Sequence, residues 1–208
     1  MIRVIDYGLG NVRSFLNIFE SLDILAQPAK NENELESATH LILPGVGSFD
    51  HAMTLLNQSG MREKLDRLVL DKQIPILGVC VGMQILCSDS EEGSMNGLNW
   101  IEGNIKKIAF SDNDQVTDLP HMGWNDIFPD TSSELLVGLQ EKTSFYFLHS
   151  YYCSPNSRNN IIANVDYGGM MPCAINHNNV FGVQFHPEKS HHSGAKILEN
   201  FTKIKAKC

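Results

Sequence analysis

A cysteine flanked by glycines is the strongest chemical signal in this 208-residue sequence. Residues 78–84 read GVCVGMQ and continue the apolar run Ile74 to Val79, so Cys80 is expected where a buried strand turns into a helix. Glycines on both sides let the backbone turn sharply and leave the thiol uncovered. A helix is expected over Gly82 to Cys87, and its amino end, directed at the sulfur, favours a thiolate. The pattern predicts a nucleophile elbow, the alternative being a small side chain buried in the core.

A nucleophilic cysteine requires a base that accepts its proton, and the base requires an acceptor that orients it. Residues 182–188 read GVQFHPE and place His186 directly after an apolar strand. Glu188 lies two residues further on, and Pro187 stiffens the link between them. The sequence therefore predicts a Cys80-His186-Glu188 triad for acyl transfer.

The elements around these motifs follow the grammar of an α/β fold. The first half alternates apolar strands, glycine turns and helical stripes, with strands expected at Ile2 to Asp6, His40 to Leu43 and Ile74 to Val79. From about Gly103 short strands dominate, and a last helix is expected near the carboxyl terminus. We expect a wound mixed sheet in a single domain over residues 1–208.

Composition narrows the function classes. The formal net charge is −8 with dispersed Lys and Arg, which argues against a nucleic-acid partner. No apolar run approaches the roughly 20 residues of a membrane span, and no leader is recognisable, so a cytoplasmic protein is expected. The five cysteines lack CxxC spacing and have an odd count, so reduced thiols are expected. No metal-ligand spacing is present, and the predicted chemistry requires no metal or cofactor.

With both motifs in place, the sequence resembles the class I (triad) glutamine amidotransferases over nearly its whole length. Segments 78–84 and 182–188 mark that broad family. A narrower resemblance, to the HisH glutaminase subunits of imidazole glycerol phosphate synthase, rests on segments found in the same order: DYGLGN at 6–11, PGVG at 44–47, PHMGWN at 120–125, FLHSYY at 147–152, and Lys189-Ser190. Val81 departs from the usual leucine, although only its backbone N–H is expected to act. The resemblance implies a flavodoxin-like wound sheet.

The same resemblance implies a reaction and the groups that support it. Cys80 would attack the side-chain amide of L-glutamine, releasing ammonia and then glutamate through a thioester. The backbone N–H groups of Val81 and Val46 would form the oxyanion hole, with the Val46 peptide turning inward only when a partner is bound. Residues that would hold the α-amino and α-carboxylate groups are Gly47, Gln84, Ser150 and Tyr151.

A partner is implied as well, because ammonia released into water would be protonated and would lose its nucleophilicity. In the family it passes through a channel into a HisF-type (β/α)8 barrel synthase subunit, which forms a heterodimer with the glutaminase for histidine biosynthesis. The resemblance assigns Asn11, Trp124 and Lys189 to that interface. Trp124 would lie in a loop at 120–125, and burial of its ring in the core is the alternative.

Three other functions fit parts of the pattern. A HisH-like paralogue could supply ammonia for amidination of an acetamido sugar of surface polysaccharide, since the catalytic motifs would be the same. A non-catalytic scaffold that regulates a synthase is disfavoured by the intact Cys80, His186 and Glu188. A cysteine peptidase would need a peptide cleft, and Gln84 argues against it.

Overall fold

The computed structural model describes residues 1–110 and 118–206, so Cys208 lies outside the described part of the chain. The strands are β1 (Ile2–Ile5), β2 (Ala26–Ala29), β3 (His40–Gly45), β4 (Ile76–Cys80), β5 (Asp89–Ser90), β6 (Gly103–Lys107), β7 (His121–Pro129), β8 (Thr143–His149), β9 (Tyr151–Pro155), β10 (Ile161–Asp166), β11 (Met170–His177) and β12 (Val180–Val183). The helices are α1 (Val12–Ser21), α2 (Phe49–Gln58), α3 (Arg62–Asp66), α4 (Val81–Gln84) and α5 (His191–Lys203). Among these residues, no helix has the length and apolar character to cross a membrane.

Most of the described strands form one mixed sheet in the order β2-β1-β3-β4-β12-β11-β10-β7-β8. The strands from β2 to β12 in this order run parallel to one another. The strands from β11 to β8 run antiparallel to their neighbours. A smaller sheet has the order β5-β6-β9. The prediction of a wound mixed α/β sheet is therefore confirmed.

Strand β4 occupies the centre of the parallel part, between β3 and β12. Every residue of β4 is buried, which explains why its sequence is a continuous apolar run. Gly45 of β3 lies beside Cys80, and Val183 of β12 lies beside Val79. The carboxyl ends of three parallel strands thus meet at one edge of the sheet, where open α/β sheets place their ligands.

Helix α1 shows how local sequence positions an element on this sheet. The Asn11 side-chain oxygen accepts a hydrogen bond from the Ser14 N–H at 3.2 Å, so Asn11 caps the helix as the sequence suggests. Phe15 and Phe19 are buried on one face, one helical turn apart. Burial of these two rings fixes α1 against the parallel strands.

Helix α4 is shorter than the sequence indicates. Helical structure was expected over Gly82 to Cys87, but α4 ends at Gln84. The backbone carbonyl of Ile85 accepts a hydrogen bond from the Leu98 N–H at 2.8 Å instead of continuing the helix. A tertiary contact that local sequence cannot reveal therefore ends the helix.

Residues 120–125 were expected to form a loop, and this prediction is wrong. From His121 onward the segment is strand β7, which pairs with β8 over the seven positions from His121 opposite His149 to Ile127 opposite Thr143. The segment lacks a regular apolar alternation, and Gly123 adopts a φ of +125°. Pairing with β8 rather than local preference makes it a strand.

The four described cysteines are free thiols, in agreement with the sequence analysis. Cys87 and Cys153 lie in the core with their sulfur atoms 2.8 Å apart. Cys173 is fully buried, and burial raises the pKa of its thiol well above the ordinary value. Among these four, only Cys80 lines a cavity that opens to solvent.

Candidate active site

The elbow at Cys80 combines a strained cysteine with tight glycine packing. Cys80 has φ +55° and ψ −115°, a conformation that an L-residue rarely adopts and that the surrounding structure must enforce. Neither Gly78 nor Gly82 has a left-handed backbone. A Cβ atom on Gly82 would lie 1.9 Å from the Leu43 carbonyl oxygen, and one on Gly78 would lie 2.6 Å from the Gly82 oxygen.

These contacts correct the role that the sequence analysis gave to the glycines. Gly78 and Gly82 do not make the turn, because the backbone of Cys80 itself makes it. They allow α4 to lie directly on the carboxyl end of β3, and that close packing enforces the Cys80 conformation.

His186 and Glu188 lie together beneath the cavity. The His186 Nδ1 atom is 2.8 Å from Glu188 Oε1, and the two side chains are 3% and 4% exposed. The link between them is a 3-10 turn that begins at Pro187, rather than an extended segment. The His186 backbone N–H donates to the Tyr146 carbonyl at 2.9 Å, and the Ser190 hydroxyl donates to the His186 carbonyl at 2.7 Å. The imidazole therefore has a fixed orientation.

The second nitrogen of the ring, His186 Nε2, is buried without a hydrogen-bond partner among the described residues. Burial, the largest single influence, lowers the pKa of His186, but interactions with Cys80 and Glu188 outweigh it and raise that pKa to about 9. The Cys80 side chain gives the largest contribution that raises the pKa of His186, although Nε2 forms no hydrogen bond to it; we attribute this contribution to the closeness and charge of the sulfur atom. The geometry provides a base whose free nitrogen can exchange a proton inside the site.

One glutamine contacts the sulfur atom, and a second glutamine holds the first in place. The Gln184 side-chain N–H donates toward Cys80 Sγ at 3.8 Å, and the thiol points to the Leu148 carbonyl at 3.9 Å. The Gln84 amide nitrogen donates to the Gln184 oxygen and to the Tyr151 carbonyl, both at 3.2 Å. Gln84 is thus a buried wall of the site rather than a residue of the helix surface.

A cavity of about 280 Å³ opens above Cys80. Nine of the residues singled out in the sequence line it: Val46, Gly47, Cys80, Val81, Gln84, Ser150, Tyr151, His186 and Lys189. Glu188 supports the cavity from behind His186. The two motifs and the segments at 44–47 and 147–152 therefore converge on one site.

The PGVG segment at 44–47 forms one rim of the cavity. The Tyr7 hydroxyl donates to the Pro44 carbonyl at 2.8 Å. A Cβ atom on Gly10, whose φ is +84°, would lie 2.6 Å from the Pro44 Cβ. The DYGLGN segment therefore packs against the start of this rim, while Val46 beyond it is 41% exposed.

Residues assigned to a partner interface lie outside the cavity or at its mouth. Trp124 is 51% exposed, so the alternative of a core tryptophan is wrong. Its ring stacks on His191 at a centroid distance of 5.3 Å. Lys189 is exposed, with its Nζ 5.5 Å from the centre of the Tyr146 ring. Asn11 is exposed at the start of α1.

The sequence analysis missed Glu92 and Gln184. Glu92 lines the cavity, and its Oε2 accepts a hydrogen bond from the Phe49 N–H at 2.8 Å at the start of α2. It follows the equally acidic Glu91, and nothing in the spacing distinguishes the two. Gln184 lies inside the histidine motif, but only the fold shows that it faces the sulfur.

Comparison with known proteins agrees with this geometry. The family model described as Glutamine amidotransferase class-I matches residues 3–204. The chain is similar to proteins named Imidazole glycerol phosphate synthase subunit HisH, with 49% identity to that of Leptospira interrogans and 47% to that of Bdellovibrio bacteriovorus. Each alignment covers 98% of this chain and 100% of the relative.

Solved structures show the same fold at lower sequence similarity. A structure titled "Crystal structure of glutamine amidotransferase" superposes with a TM-score of 0.75 at 19% identity, covering 97% of both chains. PurLQS from Thermotoga maritima superposes with a TM-score of 0.73 at 16% identity, again covering 97% of both chains. The expected flavodoxin-like type of wound sheet is confirmed. The chain belongs to the class I glutamine amidotransferases and, within them, to the HisH family.

Proposed function

We propose that this chain is the glutaminase subunit of an imidazole glycerol phosphate synthase. It hydrolyses L-glutamine to glutamate and ammonia in one domain spanning residues 1–208. The observation that carries the proposal is the strained Cys80 at the base of a cavity, beside a buried His186 that is hydrogen-bonded to Glu188. This is the arrangement that acyl transfer from an amide requires.

The reaction follows from the positions of these groups. The Cys80 thiolate attacks the side-chain amide carbon of glutamine, and the carbonyl oxygen becomes an oxyanion. His186 Nε2 donates its proton to the departing nitrogen, the C–N bond breaks, and ammonia leaves a glutamyl thioester. His186 then accepts a proton from water, which attacks the thioester and releases glutamate and the thiolate. Glu188 keeps the ring oriented and stabilises its charge through Nδ1.

The oxyanion is stabilised by backbone N–H groups, for which Val81 at the start of α4 and Val46 on the PGVG rim are the donors. Loss of one such donor typically reduces the rate by about a hundredfold to a thousandfold. A change in the Val46 peptide therefore suffices to switch the glutaminase, and we infer that partner docking controls it.

The α-ammonium group of glutamine is recognised by side-chain oxygen atoms, and its α-carboxylate is recognised by backbone N–H groups. Both donors of Gln84 are engaged by the protein, which leaves its oxygen to accept from the α-ammonium group. Glu92 adds a carboxylate for the same group. The Ser150 carbonyl already accepts from Ile108, so Ser150 and Tyr151 contribute N–H groups to the α-carboxylate. Gly47 completes this subsite from the opposite rim.

The partner is a HisF-type (β/α)8 barrel subunit that receives the ammonia. Exposed apolar groups around the site support docking there, and Trp124 and Lys189 would contact the barrel together with Asn11. The relatives named as HisH favour the histidine-biosynthesis assignment over amidination of a surface sugar. The heterodimer would act in the cytoplasm.

Glutaminase assays with and without a barrel subunit test this function. We expect the barrel and its ligand to stimulate hydrolysis, and Cys80→Ala to lower the rate by about a thousandfold or more. Cys173→Ala, which alters a core thiol on β11, is the matched control and should retain activity. Activity that survives Cys80→Ala would refute the nucleophile, and equal rates with and without the barrel would refute control by docking.

A genetic test separates the pathway from the chemistry. The gene should restore growth without histidine to a strain that lacks its own glutaminase subunit, provided that the cognate barrel subunit is co-expressed. An active glutaminase that fails in this test would contradict the pathway assignment and leave the reaction standing.

A further inference from the structure

Two buried histidines outside the Cys80-His186-Glu188 set form a continuous hydrogen-bonded chain behind the cavity. His121 of β7 lies directly opposite His149 of β8 in the sheet. The His121 Nδ1 atom is 2.9 Å from His149 Nε2, and His149 Nδ1 is 2.8 Å from the Tyr151 carbonyl oxygen. At the other end, the Asn125 amide nitrogen is 3.3 Å from His121 Nε2. Every ring nitrogen of both histidines is engaged.

The identity of the last acceptor determines the direction of every hydrogen bond. The Tyr151 carbonyl can only accept, so His149 Nδ1 must carry the proton. A neutral imidazole carries one ring proton, so His149 Nε2 accepts and His121 Nδ1 donates to it. His121 Nε2 then accepts from the Asn125 amide. When both rings are neutral, each is therefore protonated at Nδ1.

The surroundings of the rings favour the neutral form. His121 stacks against Phe147 and Tyr167, at centroid distances of 4.6 and 3.9 Å. Burial lowers the pKa of His121 to about 4. Burial also lowers the pKa of His149 to about 3, although its hydrogen bond to the Tyr151 carbonyl acts in the opposite direction. Repulsion by His121 and His186 makes smaller contributions that lower this pKa.

The charged groups near His149 are those of the cavity that it helps to line. These are His186, Glu92 and Lys189, together with the Cys80 thiol. Tyr167 is the titratable group stacked on His121. Among the described residues, no carboxylate forms a hydrogen bond with either ring. The Tyr151 carbonyl is the one contact that favours a positive charge on His149, and burial outweighs it.

We propose that His121 and His149 are positioning residues that hold the Tyr151 carbonyl and keep the adjoining Ser150-Tyr151 N–H groups directed at the glutamine α-carboxylate. The proposal rests on the glutaminase function proposed above. The Tyr151 carbonyl also accepts from Gln84, so two donors fix it from different sides. Asn125 anchors the far end, because its amide also donates to the Asp166 carbonyl at 2.9 Å.

Neutrality of the pair matters for the chemistry as well as for the geometry. His149 lines the same cavity as His186, whose positive charge faces the Cys80 thiolate during the reaction. A second positive ring would repel the imidazolium and the α-ammonium of glutamine. Protonation of His149 at Nε2 would also place two N–H groups against each other at His121. The hydrogen-bonded pair of His121 and His149 therefore keeps a second positive charge out of the cavity as the pH falls.

Histidine NMR on the complete chain tests the tautomers directly. Long-range correlations between ring nitrogens and ring protons should identify two neutral Nδ1–H rings that do not titrate between about pH 5 and 8. Assignment uses His121→Asn and His149→Asn, each of which should remove one of the two signals. A ring of this pair that is protonated at Nε2, or that titrates in the ordinary range, would overturn the proposal.

A matched pair of substitutions at His121 tests the positioning role. His121→Asn keeps a donor at the Nδ1 position, whereas His121→Leu leaves His149 Nε2 without one. We expect His121→Leu to raise the KM for glutamine by about tenfold at pH 6 and less at pH 8, because the free Nε2 then accepts a proton. His121→Asn should stay near wild type in KM at both pH values.

The outcomes separate this proposal from the function on which it rests. Equal and pH-independent increases in KM for both variants would indicate a merely structural role and would refute the chain of neutral rings. A wild-type protein without glutaminase activity in the presence of the barrel subunit and its ligand would refute the proposed function. In that case the NMR experiment, which requires no activity, still decides between the tautomers.

Discussion

The two backbone segments that flank the sulfur, the elbow at 78–84 and the rim at 44–47, differ sharply in how firmly they are held. The elbow is buried throughout, and added Cβ atoms at its glycines would collide with backbone atoms of β3 or of α4 itself. On the rim, Val46 and Gly47 are exposed, and a Cβ atom on Gly47 would meet nothing within 4 Å. One donor of the proposed oxyanion hole is therefore built on fixed backbone and the other on adjustable backbone.

The boundary between the two regimes falls at Gly45. A Cβ atom there would lie 2.3 Å from the Gly82 backbone nitrogen, so β3 and α4 are in contact up to this residue. Beyond it, the chain leaves the sheet and reaches the cavity mouth at Val46. Under the proposed function, this contrast means that packing preorganises the Cys80 nucleophile, whereas the proposed Val46 donor is left free for a partner to set.

Gly82→Ala should have the largest effect and would break the fixed side of the comparison. Its Cβ would lie 1.9 Å from the Leu43 carbonyl oxygen, a backbone atom that cannot move without separating α4 from β3. We expect a loss of about 3 kcal/mol or more in the free energy of unfolding, measured by urea denaturation. Cys80 should lose its strained conformation, and glutaminase activity should disappear even in protein that remains folded.

A loss below about 1 kcal/mol for Gly82→Ala, with activity retained, would show that the elbow tolerates displacement. The backbone of the elbow would then be as adjustable as the rim, so that both proposed donors, the N–H groups of Val81 and Val46, could move.

The protonation of His186 provides a second test of the elbow, with an effect of intermediate size. The pKa of His186, about 9, lies above the ordinary value because Cys80 and Glu188 outweigh burial. The stability that this proton contributes is present in full below the unfolded pKa, about 6.5, and is lost as the pH rises through about 9. Cys80→Ala removes the thiolate but leaves Glu188, so the pKa of His186 should fall.

An NMR titration of His186 in the wild type, Cys80→Ala and Cys173→Ala measures this shift. The control should titrate like the wild type, because Cys173 lies in the core on β11. An unchanged midpoint in Cys80→Ala would assign the raised pKa of His186 to Glu188 alone. The pairing of thiolate and imidazolium would then be absent from the resting enzyme.

The sequence predicted where the elbow lies but not how it is held in place, and the reasons are physical. A buried central strand and a glycine-flanked cysteine leave local patterns, so β4, the elbow and the His186-Glu188 contact were recognisable. The purpose of Gly78 and Gly82 was misjudged, because close packing against β3 is a tertiary property. The same holds for β7, which became a strand through pairing with β8.

The residues that sequence reasoning missed share this origin. Glu92 enters the cavity because the Phe49 N–H at the start of α2 holds its carboxylate, a contact between segments 43 positions apart. Gln184 faces the sulfur because β12 lies beside β4. The neutral pair of His121 and His149 requires both the β7-β8 register and the turn to Tyr151. No spacing along the chain encodes such contacts.

Gly47→Ala should have the smallest effect on stability and would sharpen the loose side of the comparison. Gly47 adopts a φ of +87°, which an L-residue reaches only with strain, but its added Cβ meets open space. We expect a loss of about 1 kcal/mol in the free energy of unfolding, well below that of Gly82→Ala.

The activity of Gly47→Ala should respond differently from its stability, because the substitution restricts the peptide that carries the Val46 donor into place. Basal hydrolysis should change little, whereas stimulation by the barrel subunit should fall by about tenfold or more. Measuring both rates on the same preparation isolates the effect. Undiminished stimulation would mean that the Val46 peptide does not turn during activation, and both donors would then belong to the fixed side.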